Sequence, residues 1–143
     1  MLKTASVILL IGLIFGGIYA LVMIVSPQTV GGSTFEARSQ LKWADIQEPG
    51  AASTILVQTR HIGVFGAALT IALLFVLFRA FNKGQVWAWW VFLIVGILVW
   101  GYGIVLQALE GDTLNLIGHA IGIVLIFLGL VIPIKVFFPK KAA

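Results

Sequence analysis

The chain has no cysteine, and only 10% of its 143 residues are charged. Without cysteine there can be no disulfide, thiol nucleophile, iron–sulfur cluster or cysteine-based zinc site. Soluble domains carry roughly 25% charged residues, so a chain that is 61% hydrophobic cannot build a surface that faces water everywhere. These absences indicate an integral membrane protein.

Acidic residues are also absent from the depth of every long apolar stretch. Proton-coupled transporters and rotary proteolipid rings need an ionisable group there, because charge inside a membrane is costly and is kept for function. The motifs of intramembrane proteases, nucleotide-binding loops and basic nucleic-acid patches are missing as well. We therefore predict a protein that is not an enzyme and that binds neither nucleotide nor nucleic acid.

Four apolar stretches remain, and each is long enough to cross a bilayer. They cover residues 5–25, 62–78, 86–109 and 116–134. About 20 helical residues span the ~30 Å hydrocarbon core, where backbone groups find no water and must bond within the helix. The predicted fold is an all-α, four-transmembrane-helix bundle that forms a single membrane domain over residues 1–143.

The predicted helices are unequally connected. We place them at about residues 5–26, 54–81, 86–109 and 115–138. Short turns join the second helix to the third and the third to the fourth, so each of these pairs should form an antiparallel hairpin. The first helix is expected to be a signal anchor, since its apolar run is too long for a cleaved signal peptide. Pro133 should kink the fourth helix, because it removes a backbone hydrogen bond to Gly129.

The basic residues determine the predicted orientation. Six of them lie on the side of the two termini, and three lie on the other side together with all five acids. The six are Lys3, Arg79, Lys83, Lys135, Lys140 and Lys141, and the three are Arg38, Lys42 and Arg60. Under the positive-inside rule both termini are cytoplasmic. We predict a multi-pass protein of the bacterial cytoplasmic (inner) membrane, with the lipid bilayer as its first partner.

A loop of residues 27–53 is the one sizeable segment predicted to lie outside the bilayer. Two adjacent glycines precede Ser33, and Ser33 has the spacing of a helix-capping box with Glu36. Apolar residues follow at helical intervals. The pattern predicts a short amphipathic helix, about residues 34–46, which lies on the outer membrane surface.

Tryptophan residues mark the predicted membrane interfaces, where the indole ring stays dry and its N–H stays wet. Trp87, Trp89 and Trp90 open the third helix at the inner interface, and Trp43 anchors the loop helix at the outer one. Trp100 falls near the middle of the membrane. It must pack against a neighbouring helix or face lipid.

Small residues recur at four-residue spacing on three of the predicted helices. They are Gly12, Gly16 and Ala20 on the first helix, Gly63 and Ala67 on the second, and Gly118 and Gly122 on the fourth. Such stripes let helix backbones approach closely. On the second and fourth helices we interpret them as packing within the bundle. On the first helix, contact with another protein chain is an equally open interpretation, because the long loop that follows leaves this helix less constrained.

Two histidines should lie at a similar depth, because the helices that carry them enter the membrane from the same side. His61 opens the second helix and His119 lies in the first turns of the fourth. Together they could ligate haem, a chlorophyll-type pigment or one metal ion. The other interpretation is a polar cluster at the interface, in contact with water and headgroups. The sequence itself requires no cofactor and no metal.

The remaining polar residues of the helices fall mostly in the predicted outer half of the membrane. They are Tyr19, Thr70, Tyr102, Gln107 and Asn115. Such side chains can form hydrogen bonds between helices at modest gain. With the histidines they could line a shallow pocket that opens outward.

Three short motifs lie between residues 60 and 102. They are Arg60 with Gly63 and Gly66, then Arg79-Ala-Phe81, then Trp87-Ala-Trp89-Trp90. In this third of its length the chain resembles small bacterial four-helix membrane proteins of the DoxX-like type. The resemblance implies a four-helix bundle. The namesake members of that type look like subunits of a membrane complex in quinone-linked sulfur oxidation, and no catalytic residue can be carried over from them.

These observations favour an accessory, non-catalytic transmembrane subunit of a larger membrane protein complex, of respiratory or photosynthetic type, that contributes packing and assembly. Its partners would be other membrane protein subunits. A first alternative is a redox component associated with a quinone, haem or pigment through His61 and His119. A second alternative is a homo-oligomeric channel or an uncoupled permease.

Overall fold

The computed structural model describes residues 1–139, and every regular element in this range is a helix. The α-helices are α1 (Leu2–Val25), α2 (Pro27–Ser39), α3 (Pro49–Arg79), α4 (Val86–Gly96), α5 (Tyr102–Glu110), α6 (Thr113–Val131) and α7 (Ile134–Phe137). Short 3-10 helices form at Trp43–Asp45 and Phe81–Lys83, and a π-helical segment, Ile97–Gly101, joins α4 to α5. Lys140 and Lys141, which entered the orientation prediction, lie outside the described residues.

Four helical stretches are long and apolar enough to cross a membrane. These first to fourth spanning helices are Leu2–Val25, Pro49–Lys83, Val86–Glu110 and Thr113–Val131. The prediction of an all-α fold with four apolar spans is confirmed. The second spanning helix starts earlier than predicted because Pro49 begins it. The fixed φ and missing N–H of a proline suit the first turn of a helix.

The bundle has two ends, which we name by the segments they hold. The upper end holds α2 and the turn at Gly111, and the lower end holds the turn at Phe81–Lys83 and α7. Between them α1 is central, packed against α3 on one side and α6 on the other, while α6 also packs along α4 and α5. Contacts between α3 and α4 are sparse. The predicted hairpin of the second and third helices therefore has its short turn but is not a tightly packed pair.

Glycines bring α1 and α3 close together. A methyl group on Gly63 would lie 2.8 Å from the carbonyl oxygen of Ala20, and one on Gly66 would lie 3.2 Å from the Ala20 Cβ. Nearby, Gly17 faces the methyl group of Thr70. Because lipid is as apolar as the helix surface, association in a membrane depends on dispersion contacts of this kind. The α1–α3 contact therefore depends on these glycines, because without side chains the two helices approach closely enough for dispersion contacts.

The small residues of α1 pack against other helices of the bundle. Gly12 faces Leu125 of α6, Gly16 faces the ring of Trp100, and Ala20 is buried against α3. The stripe therefore packs against helices of its own chain, which was the other interpretation left open. Although a long segment follows α1, the helix is held on two sides by its own chain.

Two residues assigned to the packing stripes behave differently from the prediction. Gly118 has open space where a side chain would stand, so within residues 1–139 it does not support a close helix contact. On α3 it is Gly66, rather than Ala67, that lies against Ala20. Gly122 does pack, because the ring of Trp100 fills the place of its missing side chain.

The helix between the first two spans lies earlier in the chain than predicted. Pro27 is at its first position, and it ends where Gln40 adopts a left-handed conformation with a φ of 57°. Only part of the predicted range 34–46 is therefore helical. Ser33 lies inside the helix and donates its hydroxyl to the carbonyl of Val30, so the predicted capping box does not form.

The adjacent glycines that precede Ser33 continue α2 and do not interrupt it. A methyl group on Gly31 would overlap the hydroxyl oxygen of Thr59, and one on Gly32 would touch the ring of Trp43. Glycine is therefore needed where α2 crosses α3. Trp43 folds back on α2, with its ring edge-on to Phe35 at a centroid distance of 6.0 Å.

Pro133 ends α6 instead of bending a continuous helix. α6 stops at Val131 and α7 begins at Ile134, so carbonyl groups near the end of α6 lose their usual partners. The indole N–H of Trp89 donates to one of them, the carbonyl of Leu130, at 3.0 Å. Trp89 therefore fastens α4 to α6, a role that the interface prediction did not include. Trp87 and Trp90, its predicted companions, are exposed.

The tight α1–α3 contact predicts that Gly63→Ala destabilises the protein by about 1–3 kcal/mol, the range for overpacking a well-packed site. Gly118→Ala is the matched control, because it adds the same methyl group to another spanning helix where the space is open. Thermal unfolding in detergent, followed by circular dichroism, measures both. Equal melting temperatures for the two variants would contradict the close approach of α1 and α3.

Candidate functional site

A cleft runs between α3 and the third spanning helix, and it has two adjoining chambers. The lower chamber has a volume of about 240 Å³, and the upper chamber, beneath α2, has a volume of about 530 Å³. Five residues line both chambers and mark the neck between them: Tyr19, Met23, Ile62, Val99 and His119. Ile62 and Val99 at the neck have exposed side chains, and the cleft is not enclosed on all sides.

The lower chamber is apolar and closed below. Its wall is mostly glycine, aliphatic and aromatic, and includes Gly16, Leu69, Leu73, Phe92, Val95 and Trp100. Beneath it Phe81 is fully buried, with its ring centroid 5.5 Å from that of Phe92 and 4.8 Å from that of Phe137. Within residues 1–139 the cleft is therefore a blind pocket and not a pore through the bundle.

The upper chamber is more polar, and α2 forms its roof. Its polar lining residues are Tyr19, Thr34, Arg38, Gln58, Thr59, Tyr102, Gln107 and His119. Of the residues expected to line a polar pocket, Tyr19, Tyr102, Gln107 and His119 line this chamber, whereas Thr70 lines the lower one and Asn115 and His61 line neither. The sequence did not indicate that α2 would cover this pocket with Thr34 and Arg38. From the lower chamber to the upper one, the walls change from mostly apolar to rich in hydrogen-bonding groups.

Glycines also explain why the cleft lies on this side of the bundle. A methyl group on Gly96 would lie 2.6 Å from Cγ2 of Ile126, and one on Gly103 would overlap the ring of His119. At these contacts the third spanning helix packs closely on α6, while at Gly63 α3 packs closely on α1. The two walls of the cleft are therefore held by different neighbours, and the space between them stays open.

The π-helical segment lies at the level of the neck. It contains Val99 and Trp100, both of which line the cleft. The Trp100 ring stacks on Phe15 at a centroid distance of 5.9 Å and lies over Gly122. The extra residue in a π-turn changes which side chains face the bundle, and such turns are frequent at functional sites.

Asp112 and Asn115 form a buried hydrogen-bond network at the upper end. The Asp112 carboxylate, 3% exposed, caps α6 by accepting from the backbone N–H of Asn115 at 3.1 Å and from its side-chain Nδ2 at 2.7 Å. It also accepts from the hydroxyl of Thr34 at 3.0 Å. The Oδ1 of Asn115 accepts from the hydroxyl of Tyr19 at 2.6 Å. One carboxylate and one amide thereby connect α1, α2 and α6.

An ion pair holds the other side of the α2 roof. Arg38 on α2 pairs with Glu110 at the end of α5, so α2 is tied to the third spanning helix as well as to α6. One turn before Glu110, the Oε1 atom of Gln107 is buried and has no hydrogen-bond partner within the described residues. An unpaired buried acceptor costs about 1–3 kcal/mol, and this residue lies on the wall of the upper chamber.

His119 lies at the neck with its ring fixed in orientation. Its Nδ1 is 2.7 Å from the backbone carbonyl oxygen of Asn115, and because a carbonyl can only accept, Nδ1 is the donor. The ring lies edge-on to Tyr19 and Trp100, at centroid distances of 6.1 Å and 5.6 Å. Nε2 lies beside Gly103, which has no side chain to cover it.

His61 is separate from this site. It is exposed on α3 and is not among the residues that line either chamber. The cleft therefore holds one of the two predicted ligands. Among residues 1–139 no group of three or more His, Cys, Asp or Glu side chains is arranged to bind a metal ion.

Sequence reasoning missed the role of Asp112, which was counted only as an acid outside the membrane. One signal was present. Asp is a favoured N-cap residue, and Asp112 directly precedes the apolar-periodic start of the fourth helix, with Asn115 three positions later. The contact of Thr34 with Asp112 had no such signal, because it joins parts of the chain 78 positions apart.

The network predicts that Asn115→Ala lowers stability, because Asp112, Tyr19 and Thr34 lose a shared partner. Each buried polar group left unpaired costs about 1–3 kcal/mol. Thr113→Ala is the matched control, since Thr113 is an exposed residue of the same first turn of α6. Denaturant unfolding in mixed micelles compares them. A variant with Ala at 115 that is as stable as the Thr113 control would show that the network contributes nothing.

Comparison with protein-family models, with curated proteins and with solved structures finds no match for this chain. The DoxX-like resemblance therefore stays a prediction.

Proposed function

We propose that the protein is a non-catalytic membrane component that binds one amphipathic, membrane-resident molecule in the cleft. The apolar tail occupies the lower chamber, and the polar head lies in the upper chamber under α2. The observation that carries this proposal is a pair of adjoining chambers, one with mostly apolar walls and the other with many polar groups. An amphipathic molecule has the same gradient.

The opening of the cleft supports a ligand that arrives from the bilayer. Exposed Ile62 on α3 and exposed Val99 and Tyr102 on the third spanning helix border it. All three lie on faces that would contact lipid in a membrane. A water-soluble ligand would have to pass α2, which is held by the Arg38 ion pair and by the Thr34 hydrogen bond.

The volume of the cleft supports a small ligand. The upper chamber, at about 530 Å³, falls in the ~300–1,000 Å³ range typical of small-molecule sites. The lower chamber, at about 240 Å³, is narrower. One chain enters such a space more readily than a bulky fused-ring system, which makes haem and chlorophyll-type pigments poor candidates and leaves quinone-type and lipid-type molecules.

The geometry of the cleft supports the three functions predicted from the sequence to different degrees. A quinone-associated redox component stays the closest alternative, with His119 at the site and His61 outside it. An accessory subunit of a larger complex stays a prediction, although the stripe on α1 that motivated it packs internally. A channel or permease finds least support, because the packed residues beneath the lower chamber block a path through the described part of the bundle.

We further propose the N-in, C-in orientation in a bacterial inner membrane, with the upper end outward. The excess of Lys and Arg at the terminal side supports it. α2 would then lie at the outer surface, where the upper chamber opens beneath it.

The ligand proposal predicts that Val99→Trp abolishes retention of the bound molecule, because a larger ring at the neck fills the space between the chambers. Val105→Trp is the matched control, since Val105 lies on the same spanning helix, is exposed, and lines neither chamber. Native mass spectrometry of gently purified protein, with analysis of the extracted lipid, should find about one equivalent of an enriched amphiphile on wild type and control. Indistinguishable lipid profiles for all three proteins would overturn the proposal.

The orientation proposal can be tested directly because the chain has no native cysteine. In intact cells a membrane-impermeant maleimide should label Lys42→Cys but not Lys83→Cys, and the latter should react only after permeabilisation. Both positions are exposed in the structure, so accessibility within the protein is matched. The reverse labelling pattern would place the upper end inside.

A further inference from the structure

We infer that the head of the bound molecule is uncharged and carries a free hydroxyl group, which donates a hydrogen bond to Nε2 of His119. This inference rests on the proposed function and specifies the class of ligand: a single-tailed neutral alcohol of the membrane. It follows from the hydrogen-bonding capacity and the charge of the side chains around the neck and the upper chamber.

The tautomer of His119 determines what its free nitrogen can do. Nδ1 carries the hydrogen, because it points to the carbonyl oxygen of Asn115. A neutral imidazole has one N–H and one acceptor nitrogen, so Nε2 is the acceptor. No carboxylate pairs with the ring within residues 1–139, and its neighbours Tyr19, Trp100 and Gly103 are uncharged.

The other polar group at the neck is an acceptor too. Tyr19 commits its hydroxyl hydrogen to Asn115, which leaves only oxygen lone pairs for a ligand. A ligand whose head has only acceptors, such as a quinone carbonyl or an ether, would leave Nε2 of His119 without a hydrogen-bond donor. A hydroxyl supplies the missing donor.

The charges of the upper chamber are already balanced. Arg38, the cation on its wall, is paired with Glu110. Asp112 is satisfied by Thr34 and by Asn115. A phosphate head would have to compete with Glu110 for Arg38. An ammonium head would lie beside the positive charge of Arg38, which is unfavourable. A neutral head leaves both the Arg38–Glu110 ion pair and the hydrogen bonds of Asp112 intact.

The test uses the full-length protein in detergent and probes that differ in one hydrogen-bond donor. Hexadecanol and hexadecyl methyl ether share their tail, and only the alcohol can donate. Native mass spectrometry with both probes present should show the alcohol retained over the ether by about three- to tenfold, as expected for one hydrogen bond of ordinary strength. Geranylgeraniol forms a further arm, and its retention relative to hexadecanol tells an isoprenoid source from a straight-chain one.

Variants separate the head contact from the tail contact. His119→Phe keeps a ring but removes the acceptor, so both probes should bind and the preference should disappear. His61→Phe is the matched control, because this exposed histidine lies outside the cleft, and its preference should equal that of wild type. Equal retention of alcohol and ether by wild type overturns the hydroxyl inference while the proposed function stands. Failure of wild type to retain any of the three probes overturns both.

A second measurement does not depend on the folding of a variant. Nitrogen-15 NMR of the histidine rings in wild type should show His119 protonated at Nδ1 and bare at Nε2. Adding hexadecanol should shift the Nε2 resonance, and adding the ether should not. A proton found on Nε2, or the same response to both probes, would overturn the inference.

Discussion

The close contact of α1 with α3 at Gly63 is the constraint on which the rest of the bundle depends. A membrane gives no hydrophobic drive for helix association, so two helices stay together only where their surfaces fit closely. At this position the backbone of α3 reaches the carbonyl of Ala20 because no side chain intervenes. α1 is thereby fixed as the central helix, although a long connection separates it from α3. α6 then packs on its other side, where Gly12 meets Leu125.

The cleft is the geometric result of this arrangement. The third spanning helix packs on α6 through Gly96, Gly103 and Gly122, each of which makes room for a larger side chain across the contact. α3 packs on α1. Four helices joined in this way leave one pair of neighbours, α3 and the third spanning helix, without a glycine contact between them. Their short turn keeps them together at the lower end, and the space opens toward the upper end.

The spans could be predicted from sequence, while their partners could not. A long run without charge determines that a segment crosses the bilayer, because the cost of burying charge does not depend on neighbours. Which face of a helix meets which other helix depends on side chains far apart in sequence. Gly31 shows the difference. Glycine interrupts helices on average, yet here Gly31 continues α2 and lets it pack closely against Thr59 of α3.

The two histidines show the same limit at the candidate site. Equal depth in the membrane was predictable from their positions near the upper ends of two helices, but depth says nothing about which way a residue faces. His119 faces the neck, and His61 faces outward. The scarcity of ionisable groups also has a consequence for recognition. In a cleft whose cation Arg38 is paired with Glu110, the acceptor nitrogen of His119 and the phenol oxygen of Tyr19 become the strongest recognition elements at the neck. Recognition of a neutral molecule then depends on a few hydrogen bonds that the surrounding apolar walls protect from water.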